Sequence, residues 1–301
     1  MTTTPLSKTQ SVTETETQAD RGLSRGQSRF LRHRPAVIGA LFLLVLIAAS
    51  IFAPAVVAFQ PNKTNISRRN EAPSVQHLLG TDGLGRDVWA RVIYGSRISL
   101  VVAGVSVTIY LAIGTAVGAV SGFYGGTVDF LLQRLADILL AFPSILLILT
   151  FVSLTEPGIV NLFLAIGLLN WPSVARLVRA EVLSLREREY ITAARALGAS
   201  NTGIILRHIL PGLTPMLLVT ATFGVAEAIL IESSLSFLGL GVPPPAATWG
   251  GMIRDAVSIT ILEQRPWLWV SPGVAIALTV LAVNFVGDGL LAASGLQQQR
   301  Q

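Results

Sequence analysis

Charged residues are scarce in this 301-residue chain: they make up 13% of the sequence, about half the share found in a soluble domain, whereas 51% of the residues are hydrophobic. Cysteine is absent, histidine occurs three times, and the two lysines are Lys8 and Lys63. The missing cysteines exclude a disulfide scaffold, a thiolate zinc site and a cysteine nucleophile. Neither lysine stands in a glycine-rich Walker phosphate loop, so the chain cannot hydrolyse ATP through such a loop.

The apolar residues are gathered into long runs rather than spread evenly. A transmembrane helix needs about 20 apolar residues, and six runs reach that length. Gly104, Gly114 and Gly118 have the spacing of small residues on helix-packing faces. We predict an all-α membrane protein whose six transmembrane helices cover residues 36–59, 98–124, 130–154, 158–177, 211–237 and 267–291.

The region before the first run is polar. Residues 1–28 carry almost no large apolar group, so we expect residues 1–34 to form a disordered cytosolic tail. A secretory signal would have a shorter apolar stretch after a shorter basic region, so the first helix is expected to be retained. The predicted organisation continues with that helix at 35–59, an extracytoplasmic segment at 60–97, a core at 98–291 and a short cytosolic tail at 292–301.

Basic residues are unevenly distributed between the two sides of this arrangement. Six spans place both termini on one side, together with the loop between the fourth and fifth spans. That side carries 14 basic residues and the other side 8. The basic residues of segment 60–97 lie close to a span, so they argue against the orientation that the totals favour. The positive-inside tendency predicts cytoplasmic termini.

The loop between the fourth and fifth spans, residues 178–210, is rich in arginine. Its first part contains good helix formers, Gly198 suits the left-handed position that ends a helix, and Ser200 or Asn201 can cap the next helix. The pair Ala193-Ala194 leaves part of the first helix without bulk, which lets another surface approach closely. The pattern predicts two short helices joined at a glycine elbow, and physical grounds alone favour a plain connector between two spans.

Several motifs carry a resemblance to a known family. The loop between the fourth and fifth spans resembles the EAA loop of binding-protein-dependent ABC importer permeases at Thr192-Ala193-Ala194, Gly198 and Ile209-Leu210-Pro211. The segment before the second span of dipeptide, oligopeptide and nickel permeases is similar to His77–Asp87. The C-type member of the paired permeases resembles this chain at Arg34-Pro35 and Ala53-Pro54. Further similar positions are Arg91, Gly95-Ser96-Arg97, Ala141-Phe142-Pro143, Glu232, Leu235–Gly241, Trp249-Gly250 and Gly287-Asp288-Gly289.

The resemblance implies a type I ABC importer permease with the MetI-like fold, located in the bacterial plasma membrane. Such a chain binds no cofactor, because ATP is used by two cytosolic ATPase subunits. It forms the pathway with a second homologous permease, receives substrate from an extracytoplasmic binding protein, contacts the lipid bilayer and binds no nucleic acid. The residues implied to couple the chain to the ATPase are Thr192, Ala193, Ala194, Arg195, Gly198, Ala199 and Ser200.

Two positions depart from the family pattern. Thr192 stands where the EAA pattern opens with an acidic residue, so a salt bridge to the ATPase from that position is missing or replaced. After Gly289 the family usually continues with a charged Arg-Asp tail, whereas this chain reads Leu290-Leu291-Ala292-Ala293-Ser294. Both departures concern how the chain holds its partners, and neither removes the glycine elbow.

The segment Gly80–Arg97 has glycines in a spacing that suggests a nucleotide loop, but no strand precedes them. Its aspartates lack the regular spacing of an EF-hand calcium loop. Physical grounds favour a tight turn followed by a short amphipathic helix on the outer membrane face. The resemblance implies that the binding protein docks here, and the candidate contacts are Asp82, Arg86, Asp87 and Arg91.

Charged residues inside predicted spans are costly, and a functional role is expected by default. Arg134 and Asp137 share a helical face and should pair near the cytoplasmic boundary. Glu227 and Glu232 are separated by about 140° around the helix, so they cannot form one paired-carboxylate catalytic site. Both are candidate translocation-path residues. For Glu232, a contact with a peptide amino terminus or a partner arginine is weighed equally against an interhelical hydrogen bond from a protonated carboxyl group.

Three histidines, His33, His77 and His208, are scattered without a His-Glu-x-x-His pattern, so we expect neither a catalytic nor a metal site. A secondary transporter would show two related halves with broken helices, and no such repeat relates 36–154 to 158–291. A passive channel remains open on physical grounds alone. We expect a permease for di- or oligopeptides, with nickel, glutathione and other small solutes as alternative substrates.

Overall fold

The computed structural model describes residues 29–294 of the chain. Within that range, the regular elements are helices, and one isolated bridge joins Thr81 to Asp87. Most of the predicted tails, residues 1–28 and 295–301, lies outside the described residues. The α-helices are α1 (Arg34–Ile51), α2 (Ala53–Val56), α3 (Val88–Tyr124), α4 (Gly126–Leu140), α5 (Ser144–Leu154), α6 (Ile159–Leu185), α7 (Glu189–Ala196), α8 (Asn201–Ile204), α9 (Leu210–Phe237), α10 (Trp249–Asp255), α11 (Ile259–Gln264) and α12 (Trp267–Ser294).

The number of membrane-length helices agrees with the prediction of six spans. Five helices of the described range are long and apolar enough to cross a membrane, and the bent pair of α4 and α5 counts as a sixth span. A Cβ atom added to Gly125, just before α4, would lie 3.7 Å from Arg186, which follows α6. The other end of the pair, Leu154, leads directly to the start of α6. The bent pair therefore crosses from one end of the bundle to the other.

The first span ends earlier than predicted, at Ile51 instead of residue 59. Pro54 has no N–H to donate to the carbonyl of Ser50, so the helix stops and the short α2 follows. The guanidinium of Arg97, on α3, donates instead to the carbonyls of Ser50 and Ile51. A side chain from a neighbouring helix thus satisfies the backbone groups that the proline leaves free.

The second and fourth spans are longer than predicted. Helix α3 begins at Val88 rather than at residue 98, because the Asp87 carboxylate accepts the N–H of Ala90 and caps the helix. The amphipathic surface helix expected before the second span is therefore the first part of α3. Helix α6 continues to Leu185 rather than residue 177, so the arginine-rich loop begins at Arg186.

The third predicted span, 130–154, is broken at Pro143. A residue that precedes a proline is disfavoured in the helical conformation, so α4 ends at Leu140 and α5 begins at Ser144. The two halves meet at an angle of 81°.

Helices α3 and α6 run parallel in close contact, because glycines remove the bulk between them. A Cβ atom added to Gly118 would lie 2.5 Å from the Ala175 carbonyl oxygen, and one added to Gly114 would lie 2.6 Å from Val174 Cβ. The prediction that these two glycines face a neighbouring helix is confirmed. Gly104 has no described neighbour within 4 Å of its Cβ position, so the packing prediction is wrong for Gly104 within this chain.

The bundle has two ends. Gly289 near the end of α12 packs against Ala36 near the start of α1, and Gly212 of α9 packs against Leu185 of α6. Because successive spans alternate in direction, both described termini and residues 186–209 lie at one end, which we name the loop end. The opposite end, named the cap end, contains residues 57–87 with α10 and α11.

Candidate coupling, docking and pathway sites

The arginine-rich loop folds as two short helices joined at a glycine elbow, as predicted. Gly198 has a φ of 84°, in the left-handed region, and lies just after α7. Ser200 Oγ accepts the N–H of Gly203 over 3.2 Å and caps α8, which confirms one of the two predicted caps. Helix α8 continues through the π-type turn Ile205–Ile209 into α9. The elbow is therefore joined to the fifth span by an uninterrupted helical arm.

Most of the predicted coupling residues are on the surface of this loop. Ile191, Ile204 and Ile209 are fully buried and anchor the loop to the bundle. Leu197 is 88% exposed although its side chain is large and apolar. Leu197 was not among the residues predicted to couple the chain to a partner. Its position directly before Gly198 could have indicated that it lies on the exposed elbow. The exposed coupling residues are Thr192, Ala193, Arg195, Gly198, Ala199 and Ser200, with Ala194 half-buried.

Two carboxylates of α4 bind two arginines of α6 at the loop end. Asp129 accepts hydrogen bonds from Arg179 at 2.5 and 2.6 Å. Asp137 lies 3.7 Å from Arg134, which confirms that predicted pair, but its closer partner is Arg176 at 2.7 Å. Arg176 and Arg179 therefore fasten α4 to α6 and are not part of a free loop.

Three of the four predicted docking residues, Asp82, Arg86 and Arg91, form a charge network at the cap end, and the fourth, Asp87, pairs with His77. Asp87 caps α3 through one oxygen, and its other oxygen lies 2.7 Å from His77 Nδ1. Asp82 accepts the Arg86 Nε–H at 2.6 Å, and Arg91 Nε lies 3.6 Å from the same oxygen. Because Arg86, Asp87 and Arg91 are buried, they hold the shape of the cap and offer little surface to a partner.

A cavity of about 410 Å³ lies beside this network and is also lined by α10 and α11. Asp255, at the end of α10, lies 3.5 Å from Arg86 Nη2 and 3.9 Å from Arg91 Nη2. Sequence reasoning missed Asp255, because it is 169 residues from Arg86 and no local pattern marks such a pair. Its side chain is 56% exposed, so Asp255 is the most accessible member of the network.

Glu232 is fully buried between α3 and α9. Its carboxyl group accepts the Oγ–H of Ser99 at 2.8 Å and that of Ser236 at 2.7 Å. Ser99 belongs to α3, so the first of these is an interhelical hydrogen bond. Of the two roles considered for Glu232, this geometry fits the interhelical hydrogen bond. A contact between Glu232 and a translocated substrate stays a prediction.

Glu227 is exposed on a different face of α9. It lines a cavity of about 320 Å³ together with Tyr110 of α3 and Asn170 of α6. The two glutamates thus lie in different surroundings, as expected from their separation of about 140° around the helix. The pathway role of Glu227 stays a prediction at this point.

Comparison with known families assigns the chain. A family model described as the inner membrane component of binding-protein-dependent transport systems matches residues 114–295, more than half of the chain. The chain belongs to this family. A second model, the N-terminal transmembrane domain of oligopeptide transport permease C, matches residues 26–73 of this inner membrane component and covers α1. The resemblance seen in the EAA loop and at Arg34-Pro35 is confirmed.

Two relatives cover nearly all of this inner membrane component. A putative peptide permease protein of Brucella suis biovar 1 is 45% identical over 268 residues, which are 89% of each chain. The dipeptide transport system permease protein DppC of Alkalihalophilus pseudofirmus is 42% identical over 259 residues, which are 86% of this chain and 84% of DppC. Among solved structures, the inward-facing MetNI methionine ABC transporter matches with a TM-score of 0.51 and 21% identity, over 67% of this chain and 95% of the transporter chain.

The family and the fold confirm several predictions. The chain is an all-helical, MetI-like permease subunit of an ABC importer and a multi-pass protein of the inner membrane. Importers of this family also contain ATPase and substrate-binding components, so this subunit is not itself an enzyme. A secondary transporter and a passive channel are thereby excluded.

Proposed function

We propose that this chain is the C-type permease of a peptide importer and forms the translocation pathway with a second homologous permease. The observation that carries the proposal is the 45% identity, over 89% of each chain, to a relative named as a peptide permease. The match of residues 26–73 to permease C of oligopeptide transport supports the same substrate class.

The exposed elbow at the loop end is the proposed contact with one of two cytosolic ATPase subunits, which use the ATP. Leu197 offers an apolar side chain, and Gly198 with Ala193-Ala194 allows close approach. Because α8 continues into α9, movement of the ATPase would be transmitted directly to the fifth span. The excess of basic residues supports a cytoplasmic position for the loop end and for both termini.

The cap end is the proposed docking surface for the extracytoplasmic substrate-binding protein. The buried side chains of Arg86, Asp87 and Arg91, with Asp82 beside them, would keep this surface in shape without touching the partner extensively. The exposed carboxylate of Asp255 is the proposed charged contact. Within the membrane, Glu227 is the proposed pathway residue, and Glu232 is proposed to link α3 to α9.

Reconstitution of the whole importer tests this function. The chain is co-expressed with the partner permease, ATPase subunits and binding protein of the same importer, and the purified complex is placed in proteoliposomes. We expect ATP-dependent uptake of labelled di- and oligopeptides that requires the binding protein. Uptake of nickel without uptake of any peptide would contradict the peptide substrate while leaving the family assignment intact.

A further inference from the structure

One face of α9 is only partly covered by the other helices: Phe223 is 37% exposed although it packs against Gly287 of α12. The exposed residues of this face are spaced three or four apart, as expected for a single helical stripe. Four members of this stripe are apolar or carry a hydroxyl group, and the fifth is the carboxylate Glu227. The stripe consists of Phe223, Glu227, Leu230, Ser234 and Phe237.

Glu227 lies deep within the span. It is ten residues before Phe237, the last residue of α9, which corresponds to about 15 Å along the helix axis. The residues that share its cavity, Tyr110 and Asn170, also lie in the interiors of α3 and α6. A carboxylate at this depth is costly when it faces lipid, so we expect Glu227 to face water or another polar group.

The cavity around Glu227 has polar groups from three helices within a largely apolar lining that includes Val174, Leu177 and Val219. Tyr110 comes from α3, Asn170 and Ser173 come from α6, and Thr220 comes from α9. Its volume of about 320 Å³ is at the lower end of the range for ligand pockets, so it suits one residue of a peptide rather than a whole peptide.

No positive charge of the described chain neutralises Glu227. The ion pairs within residues 29–294 involve other carboxylates, at the loop and cap ends. Glu232 differs, because serine hydroxyl groups surround it and no solvent reaches it. Of the two glutamates, Glu227 is therefore the one whose charge is open to a cation from outside the chain.

We propose that this cavity is a subsite for a positively charged side chain of the translocated substrate. The ammonium group donates to the Glu227 carboxylate, and the Tyr110 hydroxyl group and the Asn170 amide line the cavity beside it. This inference rests on the proposed peptide import. It adds that the permease itself favours cationic peptides, independently of the binding protein.

The test compares Glu227→Gln with the wild-type importer in proteoliposomes, using one binding protein for both. Uptake is measured for two dipeptides that are matched except for a lysine or a glutamate side chain. Because the binding protein is unchanged, its own preference cancels from the comparison of the two importers. We expect the ratio of lysine-peptide to glutamate-peptide uptake to fall about tenfold, the usual effect of losing one charge-assisted hydrogen bond.

Two further variants complete the design. Glu156→Gln removes a carboxylate from the connection between α5 and α6, outside the cavity, and should leave the ratio unchanged. Asn170→Asp in the Glu227→Gln background returns a negative charge to the cavity and should restore much of the preference for the lysine peptide. This rescue also shows that the variant importer is folded.

The outcomes separate the two proposals. An equal loss of uptake for both peptides, or loss of the partner permease during purification, would overturn the subsite, because Glu227 would then act in assembly. Such a result would leave peptide import standing. Wild-type importer that takes up no peptide would overturn the proposed function and this inference together.

Discussion

Arg179 donates two hydrogen bonds to Asp129, from Nε to Oδ1 at 2.5 Å and from Nη2 to Oδ2 at 2.6 Å, and so joins α6 to α4. Ser121 of α3 donates to the same carboxylate at 2.5 Å. One side chain of α4 is thus held by both α3 and α6. This contact fixes the direction in which α4 leaves the loop end.

Asp129→Asn should lower the free energy of unfolding by about 1.5–3 kcal/mol, because it weakens partly buried, charge-assisted hydrogen bonds. The matched control is Asp137→Asn, since Asp137 and its partner Arg176 are more exposed than Asp129 and Arg179. We expect that control to cost about 0–1 kcal/mol. Thermal unfolding of both variants in one detergent gives the comparison, and equal losses would contradict the proposed role of Asp129.

Gly118→Ala should destabilise the bundle by about 1–3 kcal/mol, the usual cost of overpacking a tight contact. The added methyl group would lie 2.5 Å from the Ala175 carbonyl oxygen, which cannot move without shifting α6. Gly104→Ala is the control on the same helix, because its Cβ position has no described neighbour within 4 Å. It should be neutral or slightly stabilising, since alanine favours helix. A ranking of the two variants in the opposite order would show that α3 and α6 do not pack as described.

Gly198→Val should uncouple ATP hydrolysis from uptake. Nothing in the described chain lies within 4 Å of the Gly198 Cβ position, so the cost comes from the left-handed backbone and not from a clash. That backbone cost is about 1–2 kcal/mol for an ordinary residue. The measurement is the stimulation of ATPase activity by substrate-loaded binding protein, together with membrane insertion as a control.

Gly198→Asn separates backbone conformation from side-chain size. Asparagine adopts the left-handed conformation more readily than valine, so this variant should retain most of the coupling. If valine and asparagine impair the importer equally, contact with the ATPase surface rather than elbow geometry determines the effect. Normal stimulation and uptake in Gly198→Val would remove the elbow from the coupling mechanism.

Glu232 and Ser99 should show a coupling energy of about 0.6–1.7 kcal/mol in a double-mutant cycle of Glu232→Gln and Ser99→Ala, the range for interhelical hydrogen bonds in a membrane protein. Ser234 lies on the exposed stripe of α9, so Ser234→Ala paired with Glu232→Gln should show no coupling. Uptake by Glu232→Gln should stay close to the wild-type value. Loss of uptake with unchanged stability would instead support direct contact with substrate.

Local signals predicted the parts of the molecule whose geometry depends on one or two neighbouring residues. Gly198 ends a helix because it adopts a positive φ, and Ser200 caps the next helix through its own hydroxyl group. Long uncharged runs predicted the spans, because a helix that crosses the bilayer needs an apolar stretch of that length. Pro143 also carried a local signal for the break in the third span, but the apolar run around it was interpreted as one continuous helix.

Contacts between distant parts of the chain were beyond such signals. Arg91 and Arg97 suggested a surface segment, yet both belong to α3, because Asp87 caps that helix before them. Their guanidinium groups contact oxygen atoms of residues that are distant in the sequence. The exposure of Glu227 and the burial of Glu232 likewise depend on which helices pack around α9. A single sequence contains no record of that packing.

The length of α3 has a mechanical consequence. With 37 residues it is about 55 Å long and extends from the capped Asp87 to the loop end, where Gly122 packs against Val182 of α6. Arg186, at the start of the arginine-rich loop, donates to the Gly122 carbonyl at 3.0 Å. Because α3 is one continuous helix held by Arg186 at the loop end and by Asp87 at the cap end, a tilt at its loop end would displace its cap end. A force applied by a partner at the loop end would then reach the cap end through the backbone of α3 alone, without a relay of separate side-chain contacts.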